Sequence, residues 1–220
     1  MYVTPPNATR PVTAPVWWQV LGPGSTALIG FFMLTVIYRF DGESEIQRDL
    51  GLSSLFLLVA GLVAYLAGVA LGAVPGLLLG ARFPTAVAVP ASCFLVFGVL
   101  LVAFADAGAL LTAGRVLSGL GTGAAAGATV ALIVKLREGR GAAGGVTAGL
   151  AVLALLLGPV IGQLISEAVG FRPVHLIAVP FLLVALVVNA VLGIVRLSAA
   201  KRTVPQPGYP GGPWQPGGAA

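Results

Sequence analysis

Residues 108–134 read GALLTAGRVLSGLGTGAAAGATVALIV, 27 positions with Arg115 as the single ionisable side chain. A stretch that apolar is long enough to cross the hydrocarbon core of a bilayer, which takes about 20 residues of helix. A strand of a membrane barrel would span about 10 residues with alternating polarity. This run is longer and apolar on every side, so it predicts a membrane helix. Moving outward from it, five further runs have the same character: 17–38, 52–74, 84–105, 142–166 and 174–195. The expected fold is therefore an all-α membrane protein, a bundle of six transmembrane helices within residues 16–197. A polar segment, 1–15, precedes it. A tail, 198–220, follows, rich in Pro and Gly and too poor in apolar surface to fold, so disorder is expected there.

The composition agrees. Hydrophobic residues make up 58% of the 220 and charged residues 9%, whereas a soluble domain carries about 25% charged residues. A soluble enzyme is excluded on that ground. The net charge of +5 would suggest nucleic acid only if the cations formed one patch. They are scattered between apolar runs, so a nucleic-acid partner is not expected and the lipid bilayer is. Cys93 is the only cysteine, so neither a disulfide nor a Cys-based metal site is expected. No His/Cys/carboxylate cluster, phosphate loop or Gly-x-Ser-x-Gly elbow occurs, and no cofactor is expected. One intramembrane Arg without a buried acid is too little for catalysis.

The cations set the expected orientation. With six spans, one side holds Arg10, Arg82, Lys135, Arg137, Arg140, Arg196, Lys201 and Arg202, and the other Arg39, Arg48 and Arg172. Cytoplasmic loops carry the Lys/Arg excess, so both termini are expected in the cytoplasm. No cleavable signal is evident in the polar, Pro-rich start.

Three features stand out as candidates for function. Arg115 lies about 10 Å into its span at 1.5 Å per residue, where a cation costs several kcal/mol unless it is paired or wet. It either lines a cavity and contacts substrate or a coupling group, or it snorkels outward or pairs with backbone carbonyls to fix a helix junction. Glycines at four-residue spacing, Gly119-x3-Gly123-x3-Gly127 and Gly141-x3-Gly145-x3-Gly149 with Gly158-x3-Gly162, place small residues on one helix face and predict close packing of the fourth and fifth spans against neighbours. Pro159 after Gly158 bends its helix, which makes that bend a candidate moving part or a shaped static element. His175 is expected to be an interfacial residue.

In order along the chain, several stretches resemble the N-terminal six-helix half of the major facilitator superfamily, and most of all its multidrug efflux branch of drug:proton antiporters. They are Glu45-Ile-Gln-Arg-Asp-Leu-Gly-Leu-Ser53, Ala64-Tyr65-Leu66, Gly114-Arg115-Val116-Leu117-Ser118-Gly119, Gly158-Pro159-Val160-Ile161-Gly162, and Gly170-Phe171-Arg172 through Val179-Pro180. The resemblance implies a plasma-membrane carrier with Arg115, Gly119, Gly158, Pro159 and Gly162 on or gating the path; the mostly apolar interior favours small lipophilic solutes, and the Gly-, Ala- and Val-rich composition suggests a bacterial source. It also implies a loop latch after the second span, here degenerate as Gly76, Gly80 and Arg82, because Gly80 stands where the family has an acid. The first span carries no Asp or Glu. The family places its site between two six-helix halves, and this chain is half that length. A homo-oligomer or a separately encoded second half is therefore expected. The alternative is a non-transporting accessory or scaffold subunit derived from such a half.

Overall fold

The computed structural model describes residues 17–39 and 42–202. The segment 1–15 and most of the expected tail, 203–220, lie outside the described residues. A 3-10 turn, Trp17–Val20, leads into α1, Leu21–Thr35. A short helix α2, Glu45–Leu50, precedes α3, Ser54–Leu79, which is continuous apart from one π turn at Leu58–Val63. Then come α4, Pro84–Ala103; α5, Gly108–Lys135; α6, Arg140–Val169; and α7, Phe171–Arg202. No strand occurs among the described residues. The fold is an all-helical membrane bundle.

Five of these helices, α3 to α7, are long and apolar enough to cross a membrane. The first run is shorter: its α-helical part is 15 residues. At about 1.5 Å per α-helical residue and 2 Å per 3-10 residue, the turn and helix together reach roughly 30 Å, the thickness of the hydrocarbon core. The helix ends follow local chemistry. Pro84 opens α4, where its missing N–H costs nothing. Ser44 and Gln47 form a capping box on α2, and Gly51 ends it at φ +60°. Gly170, at φ +87°, alone separates α6 from α7, a conformation that side chains rarely tolerate. The chain continues helical to Arg202, so residues 198–202 belong to α7 rather than to the expected tail.

The tightest pairing is α3 on α5, and glycine makes it. Gly68, Gly72 and Gly76 sit against the backbones of Val116, Leu120 and Ala124. In return Gly119, Gly123 and Gly127 sit against the backbones of Tyr65, Val69 and Ala73. Two small-residue ridges thus interlock, which lets dispersion contacts between backbones replace the hydrophobic drive that lipid removes. Of the three residues of the expected loop latch, one falls outside the loop. Gly76 lies within α3, and the true connection is residues 80–83. Gly72, Gly76 and Gly80 fall on one helix face, and a Cβ at Gly80 would collide with Ala128. Arg82 lies at the surface of that connection, over the Phe83 ring at 5.2 Å.

The second glycine ridge of the sequence behaves differently. Gly141, Gly145 and Gly149 of α6 have nothing within 4 Å of where a Cβ would be. The expected close packing of that ridge is absent among the described residues, and α6 is the least covered of the long helices. Its far half packs inward at Gly158 and Gly162, and near its start Ala143 packs against Val20, Leu132, Ile133 and Leu136.

Where α1 ends and α7 begins, Ile46 of α2 is buried with Val36, Ile37, Leu57, Leu111 and Val174 in the main apolar core. Asp49 of α2 pairs with Arg172 at 3.2 Å, and Arg172 also donates to the Ala105 carbonyl at 3.3 Å. The short amphipathic helix is thereby tied across that end of the bundle.

Candidate functional site at the end of the first helix

An α-helix leaves its last four carbonyls without helical partners. In α1 these belong to Phe32, Met33, Leu34 and Thr35. The amide of Val36 donates to Phe32 and that of Tyr38 to Thr35, each at 3.1 Å. Met33 and Leu34 receive Arg115 instead. Its Nη1 donates to the Met33 carbonyl at 2.7 Å and its Nη2 to the Leu34 carbonyl at 2.6 Å. Its Nε donates to the carbonyl of Gly61 at 3.0 Å, within the π turn of α3. The guanidinium also stacks over the Tyr65 ring at 4.3 Å.

Arg115 is 1% exposed, so this is a cation held in the bundle interior, with no acid paired to it among the described residues. Three features replace a counter-charge: charge-assisted bonds to carbonyls, the negative end of the α1 dipole, and the ring quadrupole. Arg suits the place because its planar fork holds several donors in fixed directions. Tyr65 extends the clamp. Its hydroxyl donates to the Gly30 carbonyl at 2.7 Å and meets the Thr122 hydroxyl at 2.7 Å. Helices α1, α3 and α5 are locked together at one level.

Helix α6 reaches the same spot. Pro159 has no N–H, so the Leu155 carbonyl one turn earlier loses its helical partner. Thr35 Oγ1, at the end of α1, donates to that carbonyl at 3.0 Å. Gly158 leaves room for the Thr35 hydroxyl and Gly162 for the Val36 carbonyl. The proline bend is therefore seated on α1 and its freed carbonyl is satisfied. A double-mutant cycle checks this pairing. Thr35→Val should cost about 0.6–1.7 kcal/mol, the range for bonds between membrane helices. In a Pro159→Ala background, where the substituted residue regains an N–H that supplies the helical bond, the same change should cost much less. Equal costs in both backgrounds would show that the bond does not serve the bend.

The structure thus brings Arg115, Gly158, Pro159 and Gly162 together around one helix terminus. Gly119 stands one layer away, against the Tyr65 backbone. Gly76, Gly80 and Arg82 belong to the opposite end of the bundle. Arg115 faces backbone carbonyls rather than an open path. Sequence reasoning passed over Thr35, Tyr65 and Thr122, whose hydroxyls complete the clamp. It also passed over a second polar node. Asn189 of α7 donates to Thr26 and Ser92 at 3.1 Å each and to the Gly22 carbonyl at 3.3 Å, all buried. The signal was a lone Asn in the apolar run of the sixth span. His175 is buried, 2% exposed. Among the described residues no group of His, Cys and carboxylates could hold a metal.

The family model described as the Major Facilitator Superfamily matches residues 17–217. Comparison with curated proteins gives no match.

Proposed function

The chain belongs to the Major Facilitator Superfamily, and from that premise we propose that two such bodies pair in a bacterial plasma membrane to move small lipophilic solutes. The observation that carries the reading is the open ridge of α6. Gly141, Gly145 and Gly149 are the only helical glycines among the described residues with nothing within 4 Å of a Cβ. Elsewhere in the bundle the same spacing brings a neighbouring backbone into contact. A second copy, or a second half encoded separately, fills that face, with the path between the two bodies.

The chemistry of the interior fits an apolar cargo. Arg115, the one buried cation among the described residues, is committed to carbonyls, and sugars or nucleotides would need polar partners. In this arrangement the clamp at the end of α1 makes each body rigid, so motion is rocking between bodies rather than bending of α6. The first run crosses the membrane with the other five, and the cation excess puts both termini in the cytoplasm. Efflux is the direction that the resemblance to drug:proton antiporters favours.

Dye retention tests the proposal. Cells expressing the chain should hold less of a lipophilic fluorescent dye than cells without it, and Gly145→Leu should abolish the difference. Equal retention would reject transport and favour the accessory-subunit reading, to which the degenerate latch and the missing first-span carboxylate already lend support.

A further inference from the structure

The two ends of the bundle balance charge differently. At the end where α1 stops, the cations have acids. Arg39 pairs with Glu167 at 2.7 Å, Arg172 with Asp49 at 3.2 Å, and Arg48 with Glu45. At the opposite end lie Arg82, Lys135, Arg137, Arg140 and Arg196. None of these five forms an ion pair among the described residues. Arg196 is half-buried and donates to Gln19, whereas the other four are exposed. Glu138 is the one acid at that end among the described residues.

Three of the cations crowd one short connection. Lys135 ends α5, Arg137 lies in the turn, and Arg140 begins α6. Lys135 is compensated in part by the negative end of the α5 dipole. Cations this near in sequence act together on an approaching anion, because salt screens only over about 10 Å at 0.1 M. Just inside this end the helices present apolar surface. Val130 and Val134, one turn apart on α5, are half-exposed, as are Leu79 at the end of α3 and Phe83 before α4. A free anion would use only the charge, and a neutral lipid only the apolar faces. A molecule with a negative head and an apolar body along the helices uses both. We infer that the turn between α5 and α6 binds the headgroup of an anionic phospholipid, with Arg137 and Arg140 as its principal cations. Each single body carries this site, so it depends neither on pairing nor on transport.

Native mass spectrometry of the full chain tests the site. The protein is titrated in detergent with phosphatidylglycerol or with phosphatidylcholine of the same acyl chains, and the lipid retained per chain is read. Phosphatidylcholine carries the same phosphate, but its own ammonium cancels the charge. The parent should retain phosphatidylglycerol about 25-fold more tightly than Arg137→Gln/Arg140→Gln does, at roughly fivefold per cation beside an anionic lipid. Phosphatidylcholine should not distinguish the two proteins. Arg48→Gln, at the end where cations are matched, should retain phosphatidylglycerol as the parent does. Arg137 and Arg140 are exposed and make no hydrogen bond among the described residues, so the double variant should keep the helical circular dichroism of the parent. Equal retention of the two lipids by the parent would overturn the inference. So would a phosphatidylglycerol preference that the double variant keeps, or one that Arg48→Gln loses to the same extent. Displacement of the lipid by equimolar inorganic phosphate would also overturn it, because the site would then be one for a free anion. Retention by a chain that stays single would count against the proposed function and leave this site standing.

Discussion

Arg115→Met is expected to lower the thermal unfolding midpoint of the purified protein by on the order of 10 °C. The change leaves the carbonyls of Met33, Leu34 and Gly61 without their donor in an interior that water does not reach. Two magnitudes compete. Removing a buried cation relieves its desolvation cost, and hydrogen bonds between membrane helices average only about 0.6 kcal/mol, because the unfolded state in lipid finds partners too. Against this, bonds to a charged group are each worth about 1.5–3 kcal/mol, and there are three. The Tyr65 ring loses its cation as well. A net loss of about 2–5 kcal/mol follows, and a chain of this size loses roughly 2–4 °C per kcal/mol. Arg115→Lys should recover less than half of the loss, since one ammonium cannot span three carbonyls on two helices. Were Arg115 a substrate contact instead, Met would leave the midpoint unchanged or raise it and alter transport alone. Circular dichroism of the two variants in the same detergent separates these outcomes.

The second large effect comes from two identical changes at glycines that the sequence alone treats as equivalent. Gly123→Leu should prevent the bundle from forming. A Cβ there collides with the Val69 backbone, and the helix pair can relieve the clash only by separating. Interlocked ridges give no flexible side chain that could move aside, so the penalty exceeds the roughly 1–3 kcal/mol typical of overpacking in a soluble core. Gly145→Leu meets nothing within 4 Å, so the folded body should survive with its stability within about 1 kcal/mol of the parent, the ordinary cost of an unconstrained substitution. Its effect should fall on association, splitting the paired form into single bodies. Expression level and size-exclusion profile of the two variants check this directly. A Gly123→Leu protein that folds normally, or a Gly145→Leu protein that remains paired, would contradict it.

The helices were largely legible from apolar run length. Gly108 as the start of α5 and Pro84 as the start of α4 are read straight off the sequence. What run length could not reveal was partnership. Four-residue glycine spacing marks a face that is able to pack, and it is identical in Gly119-x3-Gly123 and Gly141-x3-Gly145. Only the three-dimensional arrangement distinguishes the ridge that meets α3 from the ridge that meets nothing. The same reason hid the partner ridge Gly68-Gly72-Gly76, whose last member looked like part of a loop because Gly80 and Arg82 follow closely. Arg115 was conspicuous as an interior cation. Its partners were not, because they are carbonyls at the end of α1 and in a π turn, and backbone acceptors leave no mark in a sequence. Thr35 is in the same position: its role depends on Pro159, 124 positions away.

The claim on which the account turns is that one such bundle is half of a working assembly. The mass of the protein part of the complex, measured in native-lipid particles without crosslinking, tests it most directly. Pairing predicts at least twice the 22.1 kDa of the single chain, falling to the single-chain value with Gly145→Leu. A mass of 22.1 kDa for the unmodified protein in those particles would contradict it.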